Sequence, residues 1–150
     1  MEVKNYKDLE IWQLSEKLII KVYKLLATFP PEEKFGIVSQ AKNSVVSIAG
    51  NIAEGFGRFY FRDKIVFYYH SRASLFETES HLIISKELGF VNENNQKLYQ
   101  EILKDIKNLG IKLNNYITAL WKSAKSTESP SNRQSNKQLN HHRISNKSRQ

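Results

Sequence analysis

Apolar residues recur at three- and four-residue steps along most of the chain, the period of one helical face. Leu9, Trp12, Ile19, Val22, Tyr23 and Leu26 form the first stripe. Asp8 is placed to cap this helix, because a carboxylate accepts the free amides of a first turn. Pro30-Pro31 must end it, since proline lacks an amide and pushes the residue before it out of the helical region. A second helix is predicted from about Glu32-Glu33, with Val38, Ala41, Val45, Ile48 and Ile52 inward. Its small residues, Ser44, Ser47, Ala49, Gly50 and Ala53, let a neighbouring helix come close. Gly55 and Gly57 are expected to stop it by entering the left-handed region. Asp63 is the expected cap of a third helix carrying Val66, Phe67, Ala73, Leu75, Phe76, Leu82, Ile83 and Leu88, which Gly89 ends. Asn92 or Asn94 opens the fourth, where Leu98, Ile102, Ile106, Leu109, Leu113, Ile117 and Leu120 keep the cleanest helical period in the chain.

No segment alternates strictly between apolar and polar, so no sheet is expected. Four helices with short connections predict an all-α fold, an antiparallel up-down-up-down four-helix bundle over residues 1–124. From residue 125 the pattern gives way to Ser, Asn, Gln, Lys, Arg and His. Such a segment buries too little surface to offset its ordering entropy, so 125–150 is expected to be a disordered basic tail. Some apolar positions fall outside the four stripes: Ile11, Leu18, Ile20 and Leu25 in the first helix, and Tyr68, Tyr69 and Ile84 in the third. They indicate either a partner surface or wide core stripes.

Charge changes the picture less than its total suggests. The 150 residues hold 23 Lys and Arg against 15 Asp and Glu, a net +8. Up to Lys122 there are 17 basic and 14 acidic residues; from Ser123 onward six basic residues face Glu128 alone. The excess therefore sits mainly on the tail. The chain has no cysteine, which excludes disulfides, thiolate metal sites and cysteine nucleophiles and fits a reducing, cytoplasmic compartment. The first residues lack a signal-peptide pattern, and no apolar run is long enough to span a membrane.

Bundles that host di-iron chemistry carry Glu-x-x-His on two helices, and no glutamate here has a histidine three residues on. Glu77 and His81 lie one helical turn apart, and Asp63, His70 and Glu77 form a seven-residue ladder, too little for a metal without ligands from other helices. His141-His142 has nothing around it to fix a geometry. Gly55-Phe56-Gly57 stands at a helix exit without the Lys-Ser/Thr of a phosphate loop. No cofactor, metal or small-molecule substrate is expected, and no enzyme.

The segment Arg58-Phe59-Tyr60-Phe61-Arg62-Asp63-Lys64 interleaves basic and aromatic residues at a helix–helix turn. Arginine pairs with phosphate and aromatic rings stack on unpaired bases, so Arg58, Arg62 and Lys64, with Lys42, are candidate nucleic-acid contacts. Large aromatics in short turns more often pack, which would make these rings a plug for the end of the bundle or a subunit contact. Asn51, Glu54, Arg58, Arg72 and Glu77 are expected to form a polar network tying the second helix to the third or to a neighbouring subunit, because carboxylates near a core need partners.

Asn51-Ile52-Ala53-Glu54-Gly55-Phe56-Gly57-Arg58 resembles the family of four-helix-bundle proteins encoded within intervening sequences of bacterial 23S ribosomal RNA genes. Asp8-Leu9-Glu10-Ile11-Trp12, Phe29-Pro30 with Glu33 and Phe35-Gly36-Ile37, Ala73-Ser74-Leu75 with Glu77, and Gly89-Phe90 follow that family's pattern in order. Ala49 stands where the family commonly has proline, Ala73 where it has glycine. The resemblance implies a homopentamer without catalytic activity, similar to an accessory protein of diversity-generating retroelements that binds reverse transcriptase and nucleic acid. The expectation is thus an oligomeric module contacting RNA or a nucleoprotein partner; the alternative is a protein-binding scaffold with no nucleic-acid role.

Overall fold

In the computed structural model, residues 3–127 are described. Among them are four α-helices, α1 (Glu10–Leu26), α2 (Ile37–Gly57), α3 (Phe61–Glu87) and α4 (Gln96–Thr127), with short 3-10 turns at Tyr6–Asp8 and Pro31–Phe35 and no strand. The chain divides into two compact units at Ile117/Thr118; the described part of the second is the last stretch of α4. The expected tail lies outside the described residues apart from its first positions, which continue α4.

In the first unit the cross-helix contacts run in opposite sequence order. Ser71 Oγ donates to the Ile48 carbonyl (2.9 Å) and Thr78 Oγ1 to Ser44 Oγ (2.9 Å), joining α3 to α2. Tyr68 meets Tyr116, and Arg72 meets Asn114, joining α3 to α4. Lys21 pairs with Asp105 (2.7 Å) and Lys112 with Glu10 (2.9 Å), joining α1 to α4.

The core is built from stripes that match expectation on α2, match on α4 except that Tyr99 is buried while Leu98 and Leu120 are half-buried, and differ on α1 and α3. On α2, Val38, Ala41, Val45, Ile48 and Ile52 are buried, and on α4 Tyr99, Ile102, Ile106, Leu109, Leu113 and Ile117. On α1 the buried face is Ile11, Ser15, Leu18, Val22 and Leu25-Leu26, whereas Tyr23 is exposed. On α3 it is Ile65, Tyr68, Ser71, Leu75, Thr78, Leu82 and Ser85, whereas Val66, Phe76, Ile83 and Leu88 face outward. Hydroxyl residues can occupy core positions because each donates to a carbonyl or hydroxyl in reach, Ser85 to the His81 carbonyl at 2.7 Å for example.

The helix ends also differ from expectation. Asp8 does not cap α1; its carboxylate accepts from Asn5 N in a capping box around the 3-10 turn, and Leu9 precedes α1. Asp63 sits inside the first turn of α3, which Tyr60 precedes. The acids Glu32 and Glu33 belong to a 3-10 turn, and α2 begins only at Ile37. Gly55 and Gly57 lie within α2 and are not left-handed; the chain leaves the helix through extended Arg58.

Gly89, at φ +81°, is the left-handed residue expected at the end of α3. Phe90 N donates to the Ser85 carbonyl (3.0 Å) and Gly89 N to that of Lys86 (2.9 Å), the paired bonds of a Schellman ending. Phe90 then packs on Phe29, ring centroids 5.6 Å apart. Placing a side chain on a left-handed residue costs about 1–2 kcal/mol. Gly89→Ala is therefore expected to reduce stability in urea by that amount, although nothing lies within 4 Å of the added methyl. An unchanged urea midpoint would refute the conformational cause.

Candidate functional site

The turn between α2 and α3 is Arg58-Phe59-Tyr60. Arg58 is extended (φ −77°, ψ 135°), and its amide donates to the Gly55 carbonyl. This directs Phe59 and Tyr60 away from the core: they are 89% and 69% exposed and meet edge to face at 5.2 Å. Among the described residues they do not plug the end of the bundle; the other packed role expected of them, a subunit contact, lies outside a single copy of the chain. Phe61, where α3 begins, is half-buried.

Arg58 is held from two sides. Its guanidinium pairs with Glu54 one turn back on α2 and lies 4.4 Å from the centroid of the Phe67 ring on α3. Stacking leaves the guanidinium edge available, since its five donors lie in the plane of the group. Arg62 is exposed and Lys64 half-buried, and neither has an ion-pair partner among the described residues. Three cations and two exposed rings thus fall within the turn and the start of α3.

Lys42 does not join them. It lies 16 positions before Arg58 on the same helix, about 24 Å at 1.5 Å per residue. Its ammonium sits over the Tyr23 ring of α1, 5.2 Å from the centroid.

The five residues expected to form a polar network make local contacts of different kinds. Glu54 and Arg58 pair, and Arg58 ties α2 to α3 through Phe67. Asn51 donates back to the Ser47 carbonyl of its own helix (2.8 Å). Arg72 donates to Asn114 Oδ1 (3.1 Å) and covers Tyr69, tying α3 to α4. Glu77 stands 3.5 Å from His81 Nε2 without hydrogen-bond geometry, which leaves that buried nitrogen unbonded. These contacts do not link the five into one chain of bonds. Among the described residues no cluster of three or more His, Asp or Glu is placed to hold a metal.

Two polar clusters give no signal in the sequence. One is the Ser44–Thr78 and Ser71–Ile48 pair of bonds between α2 and α3. The other centres on buried Asn95, whose amide donates to Thr28 Oγ1 (2.8 Å) and the Phe90 carbonyl (3.1 Å) while accepting from Asn92 N. A lone Ser, Thr or Asn in a helical pattern gives no warning of its partner across the core.

An all-helical unit with exposed aromatic rings and cations at the α2–α3 turn is the class defined by this geometry. The chain belongs to the 23S rRNA-intervening sequence protein family, whose model matches residues 7–115. A similar solved structure is that of a protein of unknown function from the S23 ribosomal protein family of Bacteroides thetaiotaomicron VPI-5482, with 21% identity and a TM-score of 0.64 over 72% of this chain and 95% of that one. This likeness supports the fold alone. No curated protein matches the chain. No helix among the described residues is long and apolar enough to cross a membrane.

Proposed function

We propose that this protein is a non-catalytic, self-assembling module of the cytoplasm that contacts RNA, free or within a nucleoprotein partner, through the α2–α3 turn. The observation that carries the reading is the exposure of Phe59 and Tyr60 between Arg58 and Arg62. An exposed ring offers a face to an unpaired base, worth about 1–3 kcal/mol per stacked base, and adjacent cations pair with the phosphates. Assembly as a homopentamer, the state implied by the family resemblance, would repeat the turn five times and multiply a body charge that is modest in one copy. Lys42, at the far end of α2, belongs to a separate contact or to none.

Gel retardation of single-stranded RNA tests this. Binding by the full chain is expected at low salt and to weaken steeply as salt rises, because each phosphate contact releases condensed counterions. Phe59→Ala with Tyr60→Ala is expected to weaken binding about 10-fold or more. Arg62→Ala with Lys64→Ala should flatten the salt dependence by about 0.7 in log–log slope for each phosphate that is no longer neutralised. Arg58→Ala, which also removes the stacking on Phe67, requires a parallel stability measurement. Absence of RNA retardation at low salt would sink the RNA reading and leave a protein-binding scaffold.

A further inference from the structure

The turn that bears Phe59 and Tyr60 has a neighbour at its end of the first unit. Helix α4 gives the common level. Glu10, at the start of α1, pairs with Lys112, while in the first half of α3 Tyr68 meets Tyr116 and Arg72 meets Asn114. Lys112, Asn114 and Tyr116 lie within about 6 Å of one another along the axis of α4. The chain before α1 and the chain before α3 therefore lie toward the same end. The first of these is the 3-10 turn Tyr6–Asp8, and the second is Arg58-Phe59-Tyr60. The 3-10 turn also packs on α2, the helix that leads into the other turn.

The 3-10 turn is a fixed platform with cations on its surface. Its Lys7 carbonyl accepts from Gln13 Nε2 of α1 (2.9 Å), and the Tyr6 ring meets Trp12 edge to face at 5.2 Å. Lys4 and Lys7 are exposed, and neither has an ion-pair partner among the described residues. The acid beside them, Asp8, is turned onto the backbone, where its carboxylate accepts from Asn5 N (3.0 Å) and Lys4 N (3.3 Å). Glu10 is taken up by Lys112 and Glu54 by Arg58, which leaves exposed Asp63 as the acid at this end without a described partner. Across from Lys4 and Lys7 stand Arg62 and Lys64, also without ion-pair partners among the described residues. The opposite end is of the other sign: its connections, residues 27–36 and 88–95, hold Glu32, Glu33 and Glu93 against Lys34 alone. An anionic strand is thus drawn to one end of the unit and not to the other.

We infer that the 3-10 turn is a second arm of the RNA site: Lys4 and Lys7 pair with backbone phosphates of the same strand whose bases stack on Phe59 and Tyr60. The inference rests on the proposed RNA contact and adds to it the course of the strand across the end of α2. Neighbouring helices pack about 8–10 Å apart. Arms on the two neighbours of α2 are then within about 20 Å, about six nucleotides at a rise of ~3.4 Å each. The partner is a single strand of that length or longer. Lysine contacts to phosphate set its position without reading its sequence.

Fluorescence anisotropy of a labelled single-stranded RNA of about 12 nucleotides, twice that span, tests this when titrated with the full chain over a series of salt concentrations. Lys4→Ala with Lys7→Ala is expected to weaken binding and to lower the log–log salt slope by about 1.4, about 0.7 for each phosphate no longer neutralised, with helical circular dichroism unchanged. Lys4→Arg with Lys7→Arg should keep the wild-type slope. Lys24→Ala with Lys34→Ala makes the same change of charge at the opposite end and should also keep it.

An unchanged slope in the Lys4 and Lys7 alanine variant overturns the inference. An equal fall in the Lys24 and Lys34 variant overturns it too, since net charge rather than position would then decide. A slope that the arginine pair fails to keep rules out the phosphate contacts. Wild type that binds no RNA at low salt overturns the RNA reading and this inference together. Wild type that binds, loses affinity on Phe59→Ala with Tyr60→Ala and is indifferent to Lys4 and Lys7 keeps the reading and overturns the inference alone.

Discussion

Replacing Tyr68 by alanine is expected to lower the unfolding free energy by about 3–5 kcal/mol, the range for removing a large buried aromatic side chain. Tyr68 has no exposed surface, and its ring lies 5.0 Å from that of Tyr116. It stands where α2, α3 and α4 meet, against Gly55 on one side and Tyr116 on the other. Tyr68→Phe keeps the ring and removes one long hydroxyl contact, 3.4 Å to Tyr116, so its cost is at most about 1 kcal/mol. Urea titration of the two variants measures both. Equal losses would mean that the hydroxyl, rather than the packed ring, carries the contribution.

The same residue gives the fold an alkaline limit. Burial, with the hydroxyl contact to Tyr116 second, pushes the Tyr68 phenol well above its ordinary range. The folded state thus prefers the neutral phenol. Its contribution is complete below the unfolded value of about 10 and is lost as pH rises above it. Lys21 is shifted the same way, first by its hydrogen bond to Asp105 and then by the Asp105 and Glu101 charges against an opposing cost of burial. Its ammonium likewise supports the fold below its unfolded value of about 10.4 and less above. The urea midpoint is therefore expected to fall as pH is raised past about 10, and Tyr68→Phe should fall less steeply than the parent.

How far the core is legible in the sequence depends on whether a helix is apolar on one face. Apart from Tyr99, the inward stripes of α2 and α4 consist of aliphatic residues at a regular period, and the residues between them are mostly polar or small. Periodicity misplaces the stripe on α3 because Ser71, Thr78 and Ser85 hold core positions while Val66, Phe76 and Ile83 hold outward ones. It weighs side chains by polarity and cannot register a hydroxyl that is satisfied by a carbonyl one turn back or across the core. On α1 the residues outside the expected stripe, Ile11, Leu18 and Leu25, are the core itself. The family motifs and the cluster Arg58-Arg62-Lys64 are legible because they lie close in sequence. The distance of Lys42 from them, and the stacking of Arg58 on Phe67 nine positions later, depend on where two helices cross.

Glycines in α2 should respond to the same substitution with opposite signs. At Gly50 no atom lies within 4 Å of an added methyl group, and the residue is exposed in the helix interior. Gly50→Ala should stabilise by about 0.5–1 kcal/mol through the lower helix propensity of glycine. At Gly55 the methyl would stand 3.1 Å from Phe67 Cβ, 3.2 Å from the Lys64 carbonyl oxygen and 3.2 Å from the Tyr68 ring. Two of these atoms are fixed by the α3 backbone, and the third belongs to a ring with no free space. Relief requires α3 to move away. Overpacking of this kind costs about 1–3 kcal/mol, which exceeds the propensity gain, so Gly55→Ala should destabilise and Gly55→Leu should reach the upper end or beyond. The functional consequence follows from position. Gly55 is a point of close approach just before the turn that carries Arg58, Phe59, Tyr60 and Arg62, and its carbonyl accepts the Arg58 amide. Spreading the helices there should loosen the Arg58–Phe67 stack and weaken RNA retardation even in conditions where Gly55→Ala remains folded. Gly50→Ala, seven residues before α2 ends at Gly57, should leave RNA retardation unchanged. Equal stability changes at the two glycines would show that chain entropy, and not the helix crossing, decides the residue at position 55.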